Sequence, residues 1–392
     1  MQDLNFSKLF SGIILLSAVV FSISSCSTEV NLNAPYESEP VIFGLLDSEV
    51  DTQWVKINRT WLGDGDQNVF AQIQDSSEYE NSRLQAQFVG VSTGIVYPLK
   101  DTILDNKDEN GIFFGPEYKA YYAESKGPNA LDPDSDYRLE LVIDDTVEVY
   151  AETDLIQKNL GTIQTPPMGL DDWEFGFASV GPTEVTHNTQ LFKWKSTEGA
   201  ARYDAYLIVH YKEYYWADDN LSELDSTRVK SMEIFLGNVE PNDADGNQTL
   251  SREFDSVEFY TNMASRLEVN PRITRELGCW DNEVQISRAF DFVLMVANDH
   301  LATYLEINSA TNSIVQETPE YDNVDGGLGL WASRTTVGVY GLGYTTDTIE
   351  YLQEGDGTAA LNFCTPNPNS DYFCHWIDPD IYDEVDYECY LD

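Results

Sequence analysis

Apolar and polar residues alternate through much of the chain after its N-terminal segment, and this pattern predicts β-strands. In Trp54–Asn58 and Leu84–Val89 apolar residues recur at every second position, as they do in strands with one buried face. Clusters of Gly, Asp and Asn separate such stretches and are typical of turns. The period of two therefore predicts a mainly β protein.

An acidic turn that runs directly into a strand marks the end of the first predicted domain. The turn is Leu131-Asp132-Pro133-Asp134-Ser135-Asp136-Tyr137, and Val147–Thr153 follows as the hairpin partner of the next strand. A Leu-x-Pro-x-x-x-Tyr stretch with a final pair of strands resembles the end of a fibronectin type III or immunoglobulin-like β-sandwich. We expect the first sandwich to occupy residues 40–160.

A second sandwich of the same kind is predicted for residues 165–349, after the boundary at Thr165-Pro166-Pro167. Its tryptophan-containing strand, Leu191–Trp194, precedes a strand that begins at Tyr203, an order that again suits a fibronectin-like domain.

Helical periodicity interrupts this second domain and predicts an insertion near residues 256–277. Apolar residues recur at helical spacing from Val257 to Leu267, which indicates an amphipathic helix reaching at least to Glu268. A further short turn or helix is expected over Arg272–Leu277. Residues 350–392 are acidic and rich in tyrosine, and we expect them to form a cysteine-containing tail docked on the second domain.

The N-terminus has the pattern of an export signal. Lys8 precedes an apolar stretch from Leu9 to Ile23, and Ser24-Ser25-Cys26 follows it. The stretch has the length of a signal-peptide core, and its end resembles the lipobox of bacterial lipoproteins. We expect residues 1–25 to be removed, Cys26 to be lipidated, and residues 26–39 to serve as a tether; an ordinary signal peptide or an uncleaved anchor is the alternative.

Composition narrows the classes of partner. The 68 acidic and 22 basic residues give a formal charge of −46, which excludes nucleic acid as a partner, because phosphate binding needs clustered Lys and Arg. The same charge argues against electrostatic docking on anionic lipid. With 42% hydrophobic and 12% aromatic residues, the chain is too apolar for a disordered segment.

The cysteines indicate disulfide bonds. Besides Cys26 they are Cys279, Cys364, Cys374 and Cys389. An even number in an exported chain is typical of a disulfide framework. The turn-rich segment 365–369 favours the pair Cys364–Cys374 and leaves Cys279–Cys389. A zinc site formed by Cys364, Cys374, His375 and Cys389 is the alternative, although it lacks the short Cys-x2–4-Cys spacing of structural zinc motifs.

Aromatic and acidic clusters provide the candidate binding residues. Tyr214 and Trp216 lie just before a polar loop, and we expect them to contact a glycan or peptide ligand. Calcium is the candidate metal, because carboxylates occur at alternating positions in two turns. These carboxylates are Asp132, Asp134, Asp136, Asp243 and Asp245. Solvated turns are the alternative interpretation, and no other cofactor is expected.

The usual signatures of enzymes do not occur. The four histidines are scattered, and the sequence contains no Gly-x-Ser-x-Gly elbow, His-Glu-x-x-His helix or phosphate-binding loop. Each of these patterns places reactive groups together in a known geometry. We therefore expect a protein that is not an enzyme.

Several elements together resemble a known family. They are the lipobox, the turn at Leu131–Tyr137, the Phe259-Tyr260 helix and the segment Gly326–Arg334. In combination they are similar to uncharacterised outer-membrane lipoproteins of Bacteroidota that are often encoded beside TonB-dependent receptors. The resemblance implies an outer-membrane location and a receptor partner, and Glu29 close after the lipidated cysteine favours the outward orientation. The resemblance supplies no catalytic residues.

The function expected from the sequence is that of a surface-exposed, lipid-anchored binding protein or accessory subunit of a TonB-dependent uptake system. A structural, assembly or adhesion protein of the cell envelope is the first alternative. A secreted-type hydrolase is the second.

Overall fold

The computed structural model describes residues 38–62, 65–107, 111–157, 162–170, 172–281, 283–310 and 321–374. The predicted signal peptide, Cys26, all but the last two residues of the tether, and the end of the predicted tail from His375 lie outside these residues. Residues from Glu39 onward belong to one compact unit. No helix among the described residues is long and apolar enough to cross a lipid bilayer.

The first part of the described chain contains eight strands and two short helices. The strands are β1 (Pro40–Leu46), β2 (Thr52–Arg59), β3 (Leu84–Gly90), β4 (Val96–Pro98), β5 (Lys100–Leu104), β6 (Tyr118–Glu124), β7 (Tyr137–Ile143) and β8 (Val147–Thr153). The helices are α1 (Gln67–Ala71) and α2 (Gln74–Ser77).

These strands form two layers around one core. β1, β2, β6 and β5 are neighbours in one sheet, and β4, β3, β7 and β8 form the other. The alternation predicted from the sequence places every second residue of β7 in the core, as expected for a strand with one buried face. Phe88, Tyr97 and Tyr137 contact one another at the centre of this core.

The second part adds fourteen strands and three helices. The strands are β9 (Ile163–Thr165), β10 (Glu174–Phe175), β11 (Ala178–Val180), β12 (Val185–His187), β13 (Thr189–Lys195), β14 (Arg202–Trp216), β15 (Leu224–Val239), β16 (Thr249–Asp255), β17 (Ile273–Leu277), β18 (Cys279–Asp281), β19 (Ile286–Arg288), β20 (Phe290–Ala297), β21 (Leu328–Tyr344) and β22 (Phe363–Cys364). The helices are α3 (Ser256–Arg266), α4 (Asp299–Ala310) and α5 (Thr346–Glu354).

A second core lies between two further layers. β9, β13 and β16 form a three-stranded sheet, whereas β15, β14, β20 and β21 are successive neighbours in the larger sheet. Rings from both layers meet: Phe192 of β13 stacks on Phe292 of β20 at 4.4 Å. The chain is therefore mainly β, with several packed sheets, as the period of two predicts.

Strand β21 joins the two parts. Its first residues pair in parallel with β1, from Leu328 opposite Val41 to Ser333 opposite Leu46. Its later residues pair antiparallel with β20, so that one sheet of eleven strands runs through both parts. Gly329 allows this contact, because its φ is +118° and a Cβ there would lie 1.9 Å from the Ile42 carbonyl oxygen. The division into sandwiches at 40–160 and 165–349 stays a prediction, but the parts share a sheet.

A helix lies in the first half of the segment predicted as a helical insertion, and it ends at Arg266, before the expected Glu268. α3 covers Ser256–Arg266 and begins at an Asp255 cap, whose side chain accepts the Val257 amide hydrogen. The turn or helix expected over Arg272–Leu277 is wrong, because Ile273–Leu277 is strand β17. This strand is buried at every residue, since it pairs with β14 on one side and β22 on the other.

Candidate functional site

A groove of about 1090 Å³ lies on the outer face of the first part, between strands β1 and β2 and helix α4. Strand alternation creates its floor. Ile42, Val55 and Ile57 point into the first core, so Phe43 and Trp54 on the opposite phase point into the groove. Large concave pockets with apolar linings are where proteins most often bind ligands.

Helix α4 forms the wall of the groove. Leu301 and Ala302 are buried against Leu330 and Ala332 of β21, which fixes the helix beside the sheet. This packing places Tyr304 in edge contact with Phe43, with ring centroids 6.1 Å apart. The groove therefore depends on the pairing of β21 with β1, because that pairing brings the helix to the sheet.

Asn298 fixes the start of α4. Its side-chain amide nitrogen donates to Thr153 Oγ1 and to Asp154 Oδ1, both at 2.8 Å. Its oxygen accepts the Leu301 amide hydrogen at 3.2 Å, which satisfies one of the free N–H groups of the first helical turn. The side chain thereby ties the helix to the chain that leaves β8.

Two aromatic rings of the floor are open to solvent. Trp54 is 46% exposed and Phe43 is 42% exposed, although large apolar side chains favour burial. Tyr122, the cross-strand neighbour of Trp54 on β6, packs beside the indole and supports it, with ring centroids 5.5 Å apart. A supported and exposed indole is a rigid flat surface, suited to stacking on an apolar or ring-shaped ligand at low entropic cost.

Lys56 is the principal cationic group of the floor. Its ammonium donates to the Lys119 carbonyl oxygen at 2.7 Å and lies 4.4 Å from the centroid of the Tyr118 ring. Burial, only partly offset by Glu78, lowers the pKa of this lysine to about 8. The group is thus held among aromatic and carbonyl partners, where it can act as a hydrogen-bond donor to a ligand oxygen.

The β1–β2 turn closes one end of the groove. Gln53, which is buried, accepts the Asp47 amide hydrogen at 2.9 Å and donates to the Asp47 carbonyl oxygen at 2.8 Å. It also donates to Ser125 Oγ at 2.8 Å. Burial raises the pKa of the Asp47 carboxyl, and Arg334 lies exposed at the rim. The arrangement offers apolar surface with a few fixed polar groups, which is suited to binding.

The predicted ligand contacts Tyr214 and Trp216 are not exposed. They are 4% and 9% exposed, and the prediction of an exposed aromatic contact is wrong in this respect. The Tyr214 hydroxyl donates to Glu276, and the Trp216 indole donates to Thr274 Oγ1 at 2.9 Å. Strand β17 covers this end of β14 and buries both side chains.

Cys364 and Cys374 form a disulfide, as predicted, with their Cα atoms 5.1 Å apart. The bond packs against Tyr214 and Trp216. The disulfide also removes two ligands of the alternative zinc site, since zinc binds the thiolate form of cysteine and a disulfide sulfur is not a thiolate. Cys279 is buried, but Cys389 lies outside the described residues, so the pair Cys279–Cys389 stays a prediction.

The predicted calcium ligands lie in hydrogen-bonded turns. Asp132 Oδ1 accepts the Asp134 amide hydrogen, and Asp243 Oδ1 accepts that of Asp245, both at 3.1 Å; Asp136 is exposed. Asp and Asn commonly close turns in this way. In the part of the chain that the structure describes, no three His, Cys, Asp or Glu residues are grouped to hold a metal ion, and calcium binding stays a prediction.

No family model matches the chain, and no curated protein matches it. The similarity to Bacteroidota lipoproteins stays an expectation from the sequence, and the groove is the main guide to function.

The groove residues Phe43, Trp54 and Tyr304 were not predicted. The sequence contained one indication for Trp54, because in the alternating strand it lies on the same face as the polar residues Lys56 and Asn58 and not on the face of the core residues. A tryptophan on the polar phase of a strand indicates an exposed ring. Tyr304 carried no such signal, since only the β1–β21 pairing brings its helix to the groove.

Proposed function

We propose that this protein is a lipid-anchored binding protein of the outer membrane, facing the cell exterior, whose groove binds a glycan without catalysis. The observation that carries the proposal is the groove itself, with the exposed ring of Trp54 on its floor. Sugar rings present flat C–H faces that stack on indole, and their hydroxyls need donors and acceptors such as Lys56 and Asp47.

The strand order supports a finer description of the first part as an immunoglobulin-like sandwich. Its sheets β1-β2-β6-β5 and β4-β3-β7-β8 follow the A-B-E-D and C′-C-F-G order of that fold. Tyr137 begins β7, which corresponds to strand F, and its hydroxyl accepts the Asp132 amide hydrogen at 2.6 Å. A tyrosine that bonds back to the backbone before this strand is a feature of such domains.

The second part supports the same assignment with three strands in the smaller layer. β9-β13-β16 corresponds to A-B-E, and β15-β14-β20-β21 to C′-C-F-G. Trp194 of β13 and Tyr203 of β14 meet in the core with ring centroids 5.9 Å apart. Sandwiches of this kind commonly form the ligand-binding modules of cell-surface proteins, which agrees with the proposed function.

The location rests on the sequence. The segment that ends in Ser24-Ser25-Cys26 resembles a lipobox, and acyl chains on one cysteine would anchor the protein with about 0.8 kcal/mol for each buried methylene. The net charge of −46 would hold the domains away from anionic head groups. We propose a TonB-dependent receptor as the partner, with the groove delivering ligand to it.

Two experiments test the proposal. Purified protein is screened against panels of glycans and of peptides, and we expect binding to glycans; binding to peptides alone would contradict the ligand class. The tagged protein is then purified from outer membranes in mild detergent, where a TonB-dependent receptor should co-purify. Recovery without any receptor would contradict the accessory role but leave glycan binding standing.

A further inference from the structure

A second cluster of reactive side chains lies on the other part of the molecule, across three neighbouring strands. Ser231 of β15 is directly opposite His210 of β14, and Asp291 of β20 is opposite Ile208, two residues from His210. His210 lies on the phase of β14 opposite to that of Leu207, Val209 and Tyr211, which enter the core. The three side chains therefore meet on the outer face of the sheet.

Their hydrogen bonds form a continuous chain. His210 Nε2 lies 2.7 Å from Asp291 Oδ2, and His210 Nδ1 lies 2.9 Å from Ser231 Oγ. Asp291 Oδ1 accepts the Gly341 amide hydrogen at 2.9 Å, so both carboxylate oxygens are engaged. The carboxylate is an acceptor when ionised, which assigns the imidazole proton to Nε2 and leaves the Nδ1 lone pair facing the serine hydroxyl.

We propose that Ser231 is a nucleophile activated by His210, with Asp291 as the positioning residue, and that the site cleaves acyl esters. The usual test for such a site is a nucleophile within hydrogen-bond reach of a base that a third group orients. Both relationships are present here, with the two ring nitrogens exchanged relative to the common serine hydrolase arrangement. Each nitrogen nevertheless has the required role.

Burial supports this division of roles. His210 and Asp291 are buried, whereas Ser231 is exposed. The base and its carboxylate are thus protected from competing water, while an ester can reach the hydroxyl. Exposed Val229 and Phe235 lie on the same strand and offer apolar surface to an acyl or aryl group. The site is distinct from the groove, so the proposal does not depend on glycan binding.

The reaction balances with water as the only co-reactant. Ser231 Oγ bonds to the carbonyl carbon of the ester while its proton passes to His210 Nδ1. The ester C–O bond then breaks, and the leaving alkoxide takes that proton and departs as the alcohol. Water attacks the acyl-serine and gives a proton to Nδ1, and Ser231 recovers this proton as the carboxylic acid leaves.

Labelling of the full chain with a fluorophosphonate probe tests the proposal, because an activated serine displaces fluoride from its phosphorus atom. We expect one labelled site at Ser231, none in Ser231→Ala, and unchanged labelling in Ser251→Ala, which alters an exposed serine on another strand. His210→Gln should slow labelling by about 100-fold or more. Thermal melts of all variants establish that they fold.

Separate measurement of kcat and KM distinguishes a chemical role from a structural one. In folded Asp291→Asn, kcat for hydrolysis of p-nitrophenyl acetate should fall by about tenfold or more at an unchanged KM, because the imidazole loses the carboxylate that orients it. Ser231→Ala and His210→Gln should reduce this hydrolysis as they reduce labelling. Absence of labelling at Ser231, or an equal rate in folded His210→Gln, would overturn the proposal.

Discussion

The indole nitrogen of Trp331 donates a hydrogen bond to the carbonyl oxygen of Tyr137 at 3.0 Å. Trp331 belongs to β21, yet its side chain is fully buried in the core of the first part, where it also contacts Phe88. Gly44 of β1 makes room for it, because a Cβ there would lie 2.5 Å from the indole ring. The first core is therefore completed by a residue far along the chain.

Trp331→Ala should destabilise the protein by about 3 to 5 kcal/mol, the usual cost of removing a buried tryptophan. Because β21 lies in the shared sheet, urea unfolding should remain a single transition that moves to lower urea concentration. Unfolding curves recorded by fluorescence and by circular dichroism should coincide. Separate transitions, with only one displaced, would show that the parts unfold independently.

The buried ion pair of β14 and β17 should matter more than a surface pair. Arg275 Nε and Glu213 Oε1 are 2.9 Å apart and both side chains are buried. Glu213→Gln leaves Arg275 without its anion, which should cost about 3 to 5 kcal/mol in urea unfolding.

The exposed pair Arg272–Asp219 provides the matched control. Asp219→Asn should change the free energy of unfolding by less than about 1 kcal/mol. Equal effects of the two substitutions would contradict the assigned difference in burial.

Glu276 should make stability depend on pH. Burial raises its pKa to about 7, with Tyr214 as hydrogen-bond donor. The folded state therefore keeps a proton that the unfolded chain loses above its ordinary value of 4.5, and stability falls as the pH rises between these values. The loss amounts to about 3 kcal/mol, at 1.36 kcal/mol for each pKa unit.

Glu276→Gln removes this titration and keeps an acceptor for Tyr214. As the pH rises from about 5 to about 8, the free energy of unfolding of the variant should increase relative to that of the wild type. Urea unfolding at both pH values measures this. A constant difference would show that Glu276 does not titrate in this interval.

The disulfide should stabilise the end of the described chain. Cys364 and Cys374 are separated by ten positions, and closing a loop of this size is worth about 2 to 3 kcal/mol. Cys364→Ala combined with Cys374→Ala should lower the melting temperature accordingly. An unchanged melting temperature, in a variant whose mass confirms both substitutions, would contradict this contribution.

Local patterns predicted local structure well. The phase of Leu139, Leu141 and Ile143 identified β7, and the apolar spacing before Arg266 identified α3. Strand β17 was not predicted from the sequence because Thr274, Arg275 and Glu276 are polar. They are nevertheless buried, since their side chains hydrogen-bond to partners elsewhere in the fold. Hydrophobic periodicity has no signal for a buried strand whose polar groups are paired across the sheet.

The candidate site was harder to predict from the sequence than the strands and helices were. Trp54 and Tyr304 come together only because β21 pairs in parallel with β1, and such long-range pairing leaves no mark in a local window. The aromatic run at Tyr214 and Trp216 suggested an exposed surface, but β17 covers it. His210, Ser231 and Asp291 are likewise adjacent only across the sheet.

Glycan binding through the groove is tested most directly by titration calorimetry with the best glycan from the screen. Trp54→Ala should raise the dissociation constant by about tenfold or more, equivalent to a loss of about 1.4 kcal/mol of binding free energy. Phe235→Ala is the matched control, because Phe235 is 53% exposed and lies outside the groove; its dissociation constant should equal that of the wild type. Unchanged affinity in a folded Trp54→Ala variant would contradict the proposed binding site.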